Sequence, residues 1–69
     1  MRKVKDCRCR CVCMVDDKTG FIEQKYKDQT TTLTLPVGCE YAVERDDIIT
    51  ILHRASDGRF EITSYKKIA

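Results

Sequence analysis

The sequence predicts an all-β domain, either a small antiparallel sheet or a partly closed five-stranded barrel. Three observations carry that reading. Apolar residues recur with period two along most of the chain, as they must where successive side chains point to opposite faces of a sheet. The alternating stretches are rich in threonine and isoleucine, whose β-branched side chains suit a pleated, half-buried surface. Glycine, aspartate and serine fall between the stretches, where the chain must reverse.

The strands follow in order. Residues 1–5 form a basic N-terminal stretch expected to fray. "DCRCRCVCMVD", residues 6–16, alternates without interruption and reads as the first strand, and "FIEQKYKD", 21–28, as the second. Residues 31–37 make the third, with Leu33, Leu35 and Val37 on one face and Thr32 and Thr34 on the other. Residues 39–54 make the fourth, interrupted by a turn at "ERDD", and residues 59–66 the last. Ile48, Ile51, Leu52 and Ala55 also fit a helical stripe, so an α+β variant with residues 40–54 helical is the alternative. The three isoleucines and a threonine argue for strand, because β-branched side chains lose rotamer freedom in a helix. The whole of 1–69 is one domain, since a chain this short buries only about 60% of its unfolded surface and has no residues to spare for a second core.

Turn length decides which side of each strand is wet, because a slip of one residue sends every side chain to the other face. Reading Asp17-Lys18-Thr19-Gly20 as a four-residue loop pairs Asp16 with Phe21, Val15 with Ile22, Cys13 with Gln24 and Cys11 with Tyr26. The cysteines Cys7, Cys9, Cys11 and Cys13 then line the dry face, and Arg8, Arg10, Val12 and Met14 the wet one. A three-residue loop starting at Lys18 reverses this and turns the thiols outward; the four-residue loop is preferred. In the last hairpin, Ser56-Asp57-Gly58 as a three-residue loop pairs Leu52 with Ile62 and His53 with Glu61, one pair apolar and the other charge-compatible.

Composition narrows the function classes. The net charge of +2 is too small to argue for a nucleic-acid partner, although residues 1–27 carry eight Lys or Arg against four acids and residues 40–61 three against six. No apolar run resembles a secretory signal or approaches a membrane span, so a cytoplasmic location with no membrane partner is expected. A reducing cytosol keeps thiols free. With glycine only at 20, 38 and 58 there is no phosphate loop, no serine sits in a nucleophile turn, and His53 is the one histidine. The chain is therefore read as a non-enzyme.

Four thiols in line raise the question of a metal. Zinc ligands lie with sulfurs roughly 3.8 Å apart, whereas side chains two apart on a strand are separated by about 6.7 Å. Four such thiols cannot close a tetrahedron, so a zinc site would have to combine Cys7 and Cys9 with Cys39 and His53, whereas copper(I) needs fewer thiolates and tolerates linear geometry. The simpler reading is that cysteine serves as a small hydrophobe in a narrow interior. Tyr26 amid Lys25 and Lys27, with Arg8 and Arg10 on the neighbouring strand, has the parts of a single-stranded nucleic-acid platform, but the preferred register turns the ring away from those cations. The expectation the sequence favours is a protein-binding or self-associating module whose interaction surface is Arg8, Arg10, Val12, Met14, Lys25 and Lys27, on the outer face of the first hairpin.

Overall fold

The structure, a computed structural model, describes residues 1–68. Seven strands form two antiparallel sheets: β1 (Arg2–Lys5), β2 (Cys11–Asp16), β3 (Phe21–Tyr26) and β4 (Gln29–Thr34) in that spatial order, then β5 (Glu40–Arg45), β6 (Ile48–Arg54) and β7 (Phe60–Lys66). The sheets face each other across one core. Val4, Val12, Cys13, Val15, Ile22 and Leu35 from the first meet Val43, Leu52 and Phe60 from the second. The all-β antiparallel expectation holds, and no helix occurs among the described residues.

The expected five strands are seven, and the barrel is an open pair of sheets. Residues 1–5 do not fray: β1 pairs with β2, placing Val4 opposite Cys13 in the core. Residues 6–16 are accordingly not one strand but a hairpin loop followed by β2. Residues 40–54 form a hairpin with Arg45 opposite Ile48, which agrees with the expected strand interrupted by a turn at "ERDD" and not with the alternative helix. The unexpected first hairpin and the expected "ERDD" reversal both use turns built without glycine. Cys9, Lys27, Asp46 and Asp47 hold φ of 63°, 55°, 50° and 65°. Left-handed backbone is what tight hairpins require, and glycine is its usual sequence marker. Asp46-Asp47, with both residues left-handed, matches the twist of the strands it joins.

Two hairpins share one design. In the last, Ala55 N–H donates to Arg59 O at 2.8 Å and Gly58 N–H to Ala55 O at 2.9 Å, with Gly58 at φ 91°. In the first, Asp6 N–H donates to Arg10 O and Cys9 N–H to Asp6 O, both at 2.9 Å. Cys9 stands where Gly58 stands. The expected pairs Leu52 with Ile62 and His53 with Glu61 are present, as are Asp16 with Phe21 and Val15 with Ile22.

Loops at one end of the sandwich are joined through Arg54 at the end of β6. Its guanidinium donates to Leu35 O at 2.9 Å, to Gly58 O at 3.0 Å, and to Asp17 O and Lys18 O at 3.4 Å each. Carbonyls of three separate turns thus find one donor, as buried backbone oxygens need. Beside it the Asp17 carboxylate accepts from Arg2 Nε at 2.8 Å and from Phe60 N–H at 2.9 Å, tying β1 to β7. The Arg2 hydrogen bond holds the Asp17 carboxyl below its ordinary range; burial opposes this and the Phe60 N–H reinforces it.

Gly20 is wedged under that guanidinium. A Cβ there would fall on Arg54 Nη1 and on the Leu35 oxygen, at φ 83°, whereas one at Gly38 would meet nothing. Urea denaturation should find Gly20→Ala destabilised by about 2–5 kcal/mol, the sum of left-handed strain and overpacking, and Gly38→Ala by about 1 kcal/mol, from strain alone. Conversely, Cys9→Gly should stabilise by about 1 kcal/mol, since it relieves a side chain from left-handed backbone.

Candidate functional site

The distinctive local feature lies in β2. Lys5 is opposite Cys11 and Val4 opposite Cys13, so one residue of β1 is matched by two of β2 and Val12 is the extra one. A bulge of this kind turns neighbouring side chains to the same side. Val12 and Cys13 are both inside, 2% and 3% exposed. Beyond the bulge the alternation is inverted: Cys11 points to solvent on the outer face of the first sheet, with Lys5 beside it.

The bulge also parts β2 from β3. Their ladder runs from Asp16 with Phe21 to Met14 with Glu23 and stops, so Cys13 does not reach Gln24 nor Cys11 Tyr26 as expected. The parted strands open a shallow groove of about 110 Å³ on the outer face, lined by Cys11, Val12, Cys13, Met14, Glu23 and Lys25. From beneath, Arg45 of β5 reaches into the gap. Its Nη1 donates to Cys11 O at 3.4 Å, and its guanidinium carbon lies 4.5 Å from the centroid of the Tyr26 ring, a cation–π contact. Tyr26 is therefore stacked by an arginine from the opposite sheet, and a nucleic-acid base could stack on that face only by displacing it.

The loop preceding β2 is rigid through Asp6. Its side chain is fully enclosed, and Oδ1 accepts from the N–H groups of Arg8 at 2.9 Å and Arg10 at 3.0 Å, while Oδ2 accepts from Arg10 Nε at 3.1 Å. Burial alone would raise this carboxyl, but the two backbone donors and the guanidinium outweigh it, and it sits below its ordinary range. Arg10 then bridges to Asp46 at 2.9 Å, linking the first loop to the β5–β6 turn.

The residues singled out from sequence separate into groups. Val12 does not belong to the surface: it is core, because the bulge reversed it. Met14 is half-buried and lines the groove with Lys25, which lies 3.8 Å from Glu23. Arg8 is exposed in the loop, Arg10 is half-buried and held by two acids, and Lys27 sits in the β3–β4 turn with Nζ 5.5 Å from the Tyr26 ring. The conceivable metal set is divided. Cys7 and Cys9 lie in the loop anchored to Asp46, whereas Cys39 accepts from Arg54 N–H at 3.0 Å at the other end, near His53. Among the described residues no three His, Cys, Asp or Glu side chains are placed to share an ion. His53 lies opposite both Glu61 and Glu40, and its Nδ1 is closer to the latter, 3.4 Å from Oε1. Sequence reasoning missed Asp6, Arg45 and Arg54. Only Asp6 left a trace, as an aspartate opening a short turn.

No family model, no curated protein and no solved structure matches the chain.

All five cysteines are free thiols, and Cys13 alone is buried. Burial, with some help from Cys11 and against Arg45, pushes its pKa up to about 11. A thiol-specific chromogenic reagent should titrate Cys7, Cys9, Cys11 and Cys39 in the native state and Cys13 only on unfolding. Because the folded value exceeds the ordinary 9.0, the unfolded chain loses this proton first. Stability conferred by burying the neutral thiol is therefore full below pH 9 and lost as pH rises through about 11. Urea midpoints across that window should fall less steeply in Cys13→Val than in the parent.

Proposed function

We propose that the protein is a non-enzymatic interaction module of the reducing cytoplasm, and that it binds an extended peptide segment at the groove between β2 and β3. The observation that carries this reading is the composition of that groove. Its floor holds Met14 and the Cys11 thiol, both on the outer face of a sheet where fully solvated residues would serve as well. Lys3 and Lys5 flank it on β1, opposite Met14 and Cys11, and Lys25 on β3. An apolar side chain placed between carboxylates is the complementary ligand, since such a pattern fills the floor and pairs with the rim.

The chemistry available supports binding over turnover. Cys7, Cys9 and Cys11 have no imidazole at hand, and Cys39, though near His53, makes no hydrogen bond to a ring whose Nδ1 faces Glu40, whereas a nucleophile needs an adjacent base or a lowered pKa. The Asp6 carboxylate is enclosed and saturated with donors, which suits a structural anchor. Between Cys11 and Cys13 β2 lacks its β3 partner, but the two carbonyls already accept from Arg45 Nη1 and from the Cys11 thiol, so the groove takes its ligand mainly through side chains.

Panning a random displayed-peptide library against the immobilised protein tests the proposal. Enriched sequences should carry Asp or Glu on either side of an apolar residue, and their affinity should drop at least about tenfold in Met14→Glu and in Lys25→Glu. Equal recovery on the parent and on the doubly substituted protein would refute it. Val12 is unsuited to such a test: lysine there would bury a charge and unfold the domain.

A further inference from the structure

We infer that the free edge of β4 is a self-association site, and that two copies of the chain join there, antiparallel and about a twofold axis at Thr32, into one continuous sheet. The inference does not depend on the groove, which lies between β2 and β3, one strand in from this edge.

Backbone geometry identifies the groups left open. Lys27-Asp28 is a two-residue loop, and the pair flanking it, Tyr26 with Gln29, is hydrogen-bonded in such a hairpin. Thr31 and Leu33, at alternate positions, turn their backbone groups to β3 in the same way, and Leu35 N–H keeps the parity by donating to Gly20 O at 2.8 Å. The N–H and C=O of Thr30, Thr32 and Thr34 consequently point away from the sheet. An open row of this kind is a template for another strand.

Side-chain chemistry selects a second copy as the occupant. Each of the other sheet edges carries charge: Arg2, Lys3 and Lys5 on β1, Glu40, Glu44 and Arg45 on β5, Glu61 and Lys66 on β7. Gln29–Thr34 has no charge and no bulge, and pairs regularly with β3 along its whole length. A twofold axis normal to the sheet keeps inner faces together, so residues of like parity must meet. The open groups then place Thr32 opposite Thr32 of the second copy and Thr30 opposite Thr34, with both backbone bonds exchanged at every pair. Threonine pairs are favourable across antiparallel strands. Leu33, half-exposed in the single chain, comes to lie beside Thr31 of the other copy. One strand edge is a small interface, so the dissociation constant is expected on the order of 100 μM.

Sedimentation equilibrium and amide hydrogen exchange from about 20 μM to about 1 mM bracket that constant. The mass should rise toward the dimer, and the amides of Thr30, Thr32 and Thr34 should slow roughly fourfold while that of Thr31, already bonded to β3, changes little. Thr32→Lys sets two ammonium groups face to face on the axis, and Thr32→Pro removes an N–H that β3 does not use. Both should remain monomeric, whereas Thr32→Val should associate like the parent. Thr32→Lys carries its side chain on the exposed outer face and so retains the fold even if the proline variant does not. A parent that stays monomeric at the highest concentration, or a dimer that persists in Thr32→Lys, overturns the inference.

Discussion

One additional residue in β2 governs the arrangement of this molecule. A strand places alternate side chains on alternate faces, and Val12, matched by nothing on β1, breaks that alternation once. Without the bulge, Cys11 would enter the core and Val12 would face water. With it, valine takes the interior position, and burying a full valine side chain is worth about 1.5–3 kcal/mol where a thiol offers less apolar area. Lost ladder bonds to β3 are the cost, and they are partly replaced by Arg45, which crosses from the second sheet to the Cys11 carbonyl. The same event therefore sorts the thiols, opens the groove and covers Tyr26.

With so few residues in the core, the ends of the sandwich are held by ions rather than by oil. At one end Arg54 satisfies the carbonyls of three turns and Asp17 fastens β1 to β7. At the other, Asp6 gathers the first loop and Arg10 passes the connection to Asp46. Each network meets backbone groups that would otherwise be desolvated without a partner, which costs about 1–3 kcal/mol apiece. Both networks depend on depressed carboxyl pKa values, so their contribution is complete above the ordinary carboxylate range and is lost as acid protonates Asp6 and Asp17. The ends are thus the acid-sensitive parts of the fold and the thiol core the alkali-sensitive part.

Edges and faces of the first sheet differ in the same physical terms. β1 is short and strongly basic, features that discourage indiscriminate pairing, while β4 carries no charge. Between them lies a face on which methionine and a thiol are framed by lysines. The second sheet carries charges of both signs on its edges, Glu40, Glu44 and Arg45 on β5 and Glu61 and Lys66 on β7.

What the sequence determined by itself was whatever depends on local periodicity: the all-β class, both loop lengths marked by Gly20 and Gly58, and through them the pairings of Val15 with Ile22 and Leu52 with Ile62. It placed Leu33 and Leu35 on one face, but carried the strand on to Val37, which the structure leaves exposed in the turn after β4, beyond its end at Thr34. The turn at "ERDD" was legible, but the tertiary structure alone decided the turns at Cys9 and Lys27, where side-chain-bearing residues accept left-handed backbone. Asp6 holds the first of these loops through bonds made only once the chain has folded. It also decided the bulge. Unbroken alternation from Cys7 to Val15 describes a straight strand perfectly well, and nothing local penalises that reading. The preference for Val12 over Cys11 inside, and for Arg45 in the resulting gap, exists only when the second sheet is present to pack against them.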